Sequence, residues 1–305
     1  MTGLYTSAIE LVEVSPRDGL QNEPQLIGTA DKILLIERAI AAGSRRMEVT
    51  SFVNPRAVPQ MADAEAVCAG LPDRADVTYI GLVMNQRGAD RALATRRIDQ
   101  LGAVAVTTDT FAMANQGQTS QGSVEASTAI IAAARAAGKS AQGTIAASFG
   151  CPFEGEVSEN RVVAMAAAIA GAGAVEIALA DTIGVGNPAQ VARLVARVRA
   201  EIAPLPVRVH FHNTRGTGLA NVWAAVGAGA NVVDASIGGL GGCPFAPGAA
   251  GNVATEDVIY MLERAGIDTG LDLAQLIAAN HWLGALMQRK LPGMVAHTPP
   301  FPAAA

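Results

Sequence analysis

The chain repeats one pairing along most of its length: a short apolar run rich in β-branched residues, then a longer Ala-rich stretch. The runs are IELVEV (9–14), RMEVTSF (46–52), VTYIGLV (77–83), AVAVTT (103–108), QGTIAAS (142–148), AVEIALA (174–180), VRVHFH (207–212) and NVVDAS (231–236). Segments of this length and composition suit strands better than helix fragments. Their apolar character is nearly continuous rather than alternating, which fits parallel strands covered on both faces. The stretches between them are long enough for helices. Asn187-Pro188-Ala189-Gln190 reads as an N-cap, a first-turn Pro and a capping Gln, and Thr255-Glu256-Asp257 as a cap with two acids at a helix start. The AAG or GAG endings at 41–43, 136–138, 171–173 and 227–229 mark helices stopped by Gly.

Eight strand–helix pairs predict an α/β chain of the (β/α)8 TIM-barrel type, one domain over 1–290. A Pro- and Ala-rich tail, 291–305, is expected to fray. No Gly-rich dinucleotide fingerprint follows the first run, which sets aside a doubly wound sheet. Half of the residues are hydrophobic and the net charge is −5, so disorder and a nucleic-acid-coating role are both excluded. There is no apolar run of about 18 residues and no signal-peptide pattern at MTGLYTSAIE. Three cysteines, Cys68, Cys151 and Cys243, are too few and too scattered for a disulfide framework. The expectation is a soluble, cytoplasmic globular protein with no membrane partner.

A barrel enzyme builds its site at the C-terminal ends of its strands, and the unusual polar residues here follow the apolar runs. Arg17 and Asp18 come after the first run, as either a solvated ion pair or a guanidinium and carboxylate at the barrel mouth. His210 and His212, two of only four histidines, lie two apart on the seventh run and so share a face. They are either a hydrogen-bonded core pair or ligands of a divalent metal. Completed by Asp18 and oxygen donors, such a site suits Mg²⁺ or Mn²⁺ better than Zn²⁺.

Glu48 interrupts the second run and needs a partner, for which Arg17 is the candidate; the pair is either structural or catalytic. Asp181-Thr182 ends the sixth run as an orienting pair or as a turn. After the eighth run, GGLGGCPFAPGAAG (238–251) holds six glycines, as suits a mobile loop or one passing close to a ligand. Cys243 in its middle is either an inert thiol or a proton-transfer group.

The stretches VEVSPRDGLQNEP, EVTSFVNPRAVPQMADAEAV, SFGCPFEGEV, ADTIGVGNP, HFHNTRGTGLANV and GGLGGCPFAPGAAGNVATEDVIYMLERAGIDTG resemble the 3-hydroxy-3-methylglutaryl-CoA lyases, in order, over roughly 12 to 270. The resemblance implies a metal-dependent barrel lyase in which Asp18, His210, His212 and Asn252 bind the ion. It implies that Arg17 stabilises the enolate oxygen of the departing thioester, that Glu48 supports it, and that Cys243 handles a proton. His210 is the candidate base, and Cys151 is structural. Gln21, Arg17, Asp181, Thr182 and Arg215 are the expected substrate contacts. Arg215, where the family carries no such cation, suggests an additional anionic or polar group on the substrate. Where family lysines are missing, at Pro24, Pro247 and in Phe111–Gly117, Arg56 or Arg87 can supply charge for CoA phosphates.

The expected reaction is retro-Claisen cleavage of a 3-hydroxy acyl-CoA to a keto acid and acetyl-CoA. A related aldolase or Claisen-type synthase on another hydroxy acyl-CoA or a free 2-oxo acid is the alternative. The chain ends just after the eighth helix region, which speaks against the synthases that carry a C-terminal extension. A non-enzymatic metal- or ligand-binding barrel is the third reading, and a homodimer is compatible with the resemblance. His281 and His297 are expected on the surface or in the tail.

Overall fold

The computed structural model describes residues 6–242 and 251–301. Eight parallel strands close on themselves in sequence order: β1 (Glu10–Glu13), β2 (Arg46–Ser51), β3 (Thr78–Val83), β4 (Gln100–Val106), β5 (Ser140–Ala146), β6 (Ile177–Asp181), β7 (Val207–Phe211) and β8 (Val232–Ala235). Closure is made by β1 on β8, with Glu10 to Glu13 in register with Val232 to Ala235. All eight apolar runs are therefore strands, with ends shifted by up to three residues. The fourth starts earlier than its apolar run because Gln100, Leu101 and Gly102 pair with β5.

The helices are α1 (Thr29–Ala41), α2 (Ala64–Gly70), α3 (Gln86–Ala94), α4 (Asp109–Gln116), α5 (Ser120–Ala136), α6 (Glu159–Gly171), α7 (Pro188–Ile202), α8 (Gly218–Gly227), α9 (Thr255–Arg264) and α10 (Leu273–Leu286). Their apolar faces and the outward side chains of the strands form the main core, which includes Leu35, Met47, Leu101, Ile131, Val195 and Phe211. The expected Gly stops are present: Gly43, Gly138, Gly173 and Gly229 all have positive φ. Asn187 caps α7 by accepting the Gln190 N–H at 3.1 Å, while the Gln190 side chain donates to the Phe149 carbonyl instead of closing a capping box. Among the described residues no helix is long and apolar enough to cross a membrane.

Inward-facing positions alternate along each strand. A small apolar layer of Val12, Val14, Ile80 and Val232 occupies part of the barrel interior. Much of the rest is charged. Arg46, Glu176, Arg208 and Asp234 form a connected hydrogen-bonded column with Gln100, and Arg208 and Glu176 are each 1% exposed. Buried ions on this scale persist only when paired and hydrogen-bonded.

One expectation is corrected. Thr255 is not a cap: Ala254 precedes α9, and the Thr255 hydroxyl donates to Glu13 Oε2 at 2.8 Å. The described part of the tail, 291–301, makes contacts with the barrel. Leu291 is buried, Gly293 N–H donates to the Gly238 carbonyl, and Asp257 accepts the Met294 and Val295 N–H groups. His281 and His297 flank this seam and are exposed, as expected, and each meets a backbone carbonyl, of Ala296 and Leu291 respectively.

Glu256, buried beside the seam, accepts the Gly238 N–H and the Asn280 amide. Burial pushes its carboxyl up to about 7, against the pull of those hydrogen bonds. The folded chain therefore holds a proton there that the unfolded chain has lost, and stability falls as pH rises from the ordinary glutamate value of 4.5 through about 7. The shift corresponds to roughly 3 kcal/mol. Thermal melts between about pH 5 and 8 are expected to show this downward slope in the native chain and to lack it in Glu256→Ala. Equal slopes in both would disprove the assignment.

Candidate active site at the barrel mouth

The site begins with a departure from helical geometry. After β1 the chain turns through a single π-helical turn, Ser15–Gly19, in which the Gly19 N–H reaches back to the Val14 carbonyl at 3.1 Å. Such turns are short and recur at functional sites. This one presents Arg17 and Asp18 together. Arg17 is 8% exposed; its Nη1 donates to Asp18 Oδ1 and its Nη2 to Glu48 Oε2 at 2.7 Å. The partner expected for Glu48 is thus the observed one. Burial works against charge on Arg17 and Asp18, but their attraction prevails: the Asp18 carboxyl is held well below the usual carboxylate range by Arg17 and the two histidines.

His210, on β7, and His212, just past its end, point to one face, with ring centroids 5.2 Å apart. Their Nε2 atoms lie 3.7 and 3.9 Å from Asp18 Oδ2. The three side chains form a cluster whose ligand atoms all lie within 4.8 Å of one another. Donors that each sit about 2.1 Å from a common ion are themselves roughly 3 to 4 Å apart, so this spacing fits a divalent cation. Two buried atoms strengthen the fit: His212 Nδ1 and Asn252 Oδ1 have no hydrogen-bond partner among the described residues. Asn252 is brought in by the strand-like bridge between its backbone and that of His212, and its Nδ2 donates to Asp18 Oδ2 at 2.7 Å. Gly241 makes room for it. A side chain there would meet Asn252 Nδ2 at 2.2 Å, and φ is +111°.

A cavity of about 150 Å³ opens above this cluster. Gln21, Glu48, Thr182 and Asn115 are on its wall with Asp18, His210 and His212, beside apolar Leu82, Met84 and Phe111. Arg17 Nε and Glu48 Oε1 are buried with no hydrogen-bond partner among the described residues. A second cleft on the same end, about 700 Å³, is formed by the segments after β2 and β3 and carries Arg56, Arg87 and Arg91.

Two expected substrate contacts lie elsewhere. Both Asp181 carboxylate oxygens are taken, at 2.9 Å each, by the Val185 and Gly186 N–H groups, so the residue shapes the turn after β6. Burial raises its carboxyl above the ordinary value. Arg215 Nη1 donates to the Ile183 and Gly184 carbonyls and is not among the cavity's lining residues. It braces a neighbouring loop, and the extra anionic group it suggested loses its support.

Cys243 lies outside the described residues. Both flanks of its segment are anchored at the site, by Asn22 Nδ2 donating to the Gly242 carbonyl and by the Asn213 N–H donating to that of Gly251. Cys151 is buried, its Sγ 3.0 Å from the Thr108 hydroxyl and 3.4 Å from the Phe153 and Glu154 nitrogens.

Sequence reasoning missed Asp234. Its Oδ2 lies 3.0 Å from His210 Nδ1 and its Oδ1 accepts from Arg208 Nε. Burial alone would lower the His210 imidazole, but the hydrogen bond to Asp234 and the Asp18 charge raise it. The signal was available: like Glu48, Asp234 is an acid inside an apolar run, at an inward position.

A closed α/β barrel with buried charged donors converging where the strands end defines a barrel enzyme. Comparison with known proteins narrows the class. A family model described as HMGL-like matches residues 8–282. The (R)-citramalyl-CoA lyase of Chloroflexus aurantiacus is 42% identical over 96% of this chain and 95% of its own. The hydroxymethylglutaryl-CoA lyase of Bacillus subtilis is 39% identical over 94% of this chain and 96% of its own. Among solved structures, the hydroxymethylglutaryl-CoA lyase of Pseudomonas aeruginosa superposes with a TM-score of 0.93 at 39% identity, covering 97% of this chain and 98% of that one. An HMG-CoA lyase of A. baumannii in complex with coenzyme A and 3-methylmalate gives 0.94 at 41% identity, covering 100% and 99%. The chain belongs to the HMGL-like family and is a carbon–carbon lyase.

Proposed function

We propose that the enzyme cleaves 3-hydroxy-3-methylglutaryl-CoA or a close homologue to a keto acid and acetyl-CoA, with Mg²⁺ or Mn²⁺ held by Asp18, His210, His212 and Asn252. The observation that carries this reading is the convergence of the Asp18, His210 and His212 donor atoms beside Arg17 on one cavity wall. A divalent cation bound there supplies Lewis acidity that makes the tertiary hydroxyl more acidic.

The protein's own groups do the rest. His210 Nδ1 faces Asp234, so the imidazole has one lone pair for use, at Nε2. That single lone pair serves one purpose at a time, helping to hold the cation or taking the hydroxyl proton as the carbon–carbon bond breaks. The bonding electrons pass to the thioester fragment as an enolate, and the Arg17 guanidinium stabilises its oxygen. Glu48 fixes Arg17 from below. The Cys243 thiol delivers a proton to the enolate carbon, giving acetyl-CoA. Gln21 and Thr182 contact the acid end of the substrate. Arg56 and Arg87, in the neighbouring cleft, meet the phosphates of CoA.

Cys243→Ala is expected to keep the ion and the substrate and to lose about 10²- to 10⁴-fold in kcat. Normal turnover by that variant would refute the proton-transfer role.

The 42% identity to a citramalyl-CoA lyase favours a second reading, a thioester one methylene shorter between carboxylate and carbinol carbon. One methylene in a fitted pocket separates substrates by about 10- to 200-fold. Measured kcat/KM on both thioesters is expected to favour 3-hydroxy-3-methylglutaryl-CoA by such a factor. The opposite ratio assigns the shorter acid, and cleavage of neither by ion-binding protein overturns both readings.

A further inference from the structure

The charged column inside the barrel is more than a packing solution, because its upper end fixes the state of a site residue. Asp234, on β8 and 5% exposed, has one carboxylate oxygen on each of two partners: Oδ2 faces His210 Nδ1 at 3.0 Å and Oδ1 accepts from Arg208 Nε. Arg208 is 1% exposed and cannot turn away. Its Nη1 lies 3.3 Å from Glu176 Oε1, and Glu176 is in turn held by Arg46, which also donates to Gln100 Oε1 and, at the far end of the barrel, approaches Glu10 at 3.4 Å. A guanidinium only donates. Asp234 Oδ1 is therefore always the acceptor for Arg208, and Oδ2 is left as a charged acceptor for the imidazole.

We infer that Asp234 is a positioning residue that holds the neutral His210 in its Nδ1–H tautomer, so that the lone pair stands on Nε2, toward Asp18. The inference rests on the metal-centre reading only for its consequence: contact with the ion and receipt of a proton both need that lone pair. Carboxylate partners of metal-binding histidines act in this way, and their loss weakens metal binding about 10- to 100-fold.

The column makes the test specific. In Asp234→Asn the amide oxygen has to face Arg208, because the reverse orientation sets two donors against each other. The NH₂ group then donates to His210 Nδ1, which moves the imidazole proton to Nε2. Asp234→Ala removes the bias without reversing it. A residue that served packing alone would show the opposite ranking, with the isosteric Asn variant the milder of the two.

The experiment is long-range ¹⁵N–¹H correlation of the histidine rings at alkaline pH in metal-free protein, the four histidines being separated by comparison with His210→Gln. Mn²⁺ titration calorimetry of the same proteins accompanies it. The expected results are an Nδ1–H tautomer at His210 in the native chain, an Nε2–H tautomer in Asp234→Asn, and Mn²⁺ affinity reduced about 10- to 100-fold in Asp234→Asn and by less in Asp234→Ala. An Nε2–H tautomer in the native chain overturns the inference even if neither variant folds. So does native-like Mn²⁺ affinity in a folded Asp234→Asn. Native protein that has the expected tautomer but binds no Mn²⁺ sinks the metal-centre reading, while the tautomer pattern alone continues to support the role of Asp234.

Discussion

Arg17→Gln is expected to lower kcat about 10²- to 10³-fold, the usual loss when a donor aimed at a developing oxyanion is removed. The guanidinium is placed for this by two carboxylates, Asp18 through Nη1 and Glu48 through Nη2, and its Nε has no partner among the described residues. Lysine cannot substitute, because a single ammonium does not span both carboxylates in a fork. The substitution leaves Glu48, 2% exposed, without its cation, so stability is expected to fall by about 3 to 5 kcal/mol. Melting curves separate the two effects, and Arg17→Gln/Glu48→Gln, which removes the stranded charge, should regain stability but not turnover. A folded, ion-binding Arg17→Gln within a few-fold of native kcat would remove Arg17 from the chemistry.

His212→Ala is the second large effect. The imidazole is 5% exposed, its Nε2 stands 3.9 Å from Asp18 Oδ2, and its Nδ1 has no partner among the described residues. A residue held only for packing would not leave a buried ring nitrogen unsatisfied, since each such group costs about 1 to 3 kcal/mol. Removing the ring is expected to cut Mn²⁺ affinity more than about 100-fold, beyond what loss of an outer partner such as Asp234 does, and to bring turnover to background. Calorimetry with Mn²⁺ reads the first effect and acetyl-CoA release the second. Retained ion binding would return the histidine pair to the core.

Much of this was legible in the chain, for physical reasons. Strand interiors of a parallel barrel are covered on both sides, so β-branched runs show through plainly, and chemistry placed at strand ends makes Arg17, Asp18, His210 and His212 stand out. The Arg17–Glu48 pair followed from the price of burying a lone carboxylate. What escaped was set by loop geometry. Asp181 and Arg215 have the right chemistry, but backbone N–H groups and carbonyls of neighbouring turns claim them, and no sequence spacing shows where such a turn folds back. The tail from 291 looked disordered by composition. Its described part is hydrogen-bonded to the Gly238 carbonyl and to Asp257, an acid that a linear reading assigned to the helix dipole. Asp234 was visible by the same logic as Glu48 and was passed over, because its partner on the neighbouring strand appears only once β7 and β8 are paired.

The most direct measurement is acetyl-CoA release from 3-hydroxy-3-methylglutaryl-CoA by purified enzyme before chelation, after exhaustive chelation, and after addition of Mg²⁺ or Mn²⁺. If the cluster of Asp18, His210 and His212 is the reaction centre, chelation abolishes cleavage, one ion per chain restores it, and no ion restores it in His212→Ala. Undiminished cleavage by chelated protein would contradict the metal centre on which the proposed reaction stands.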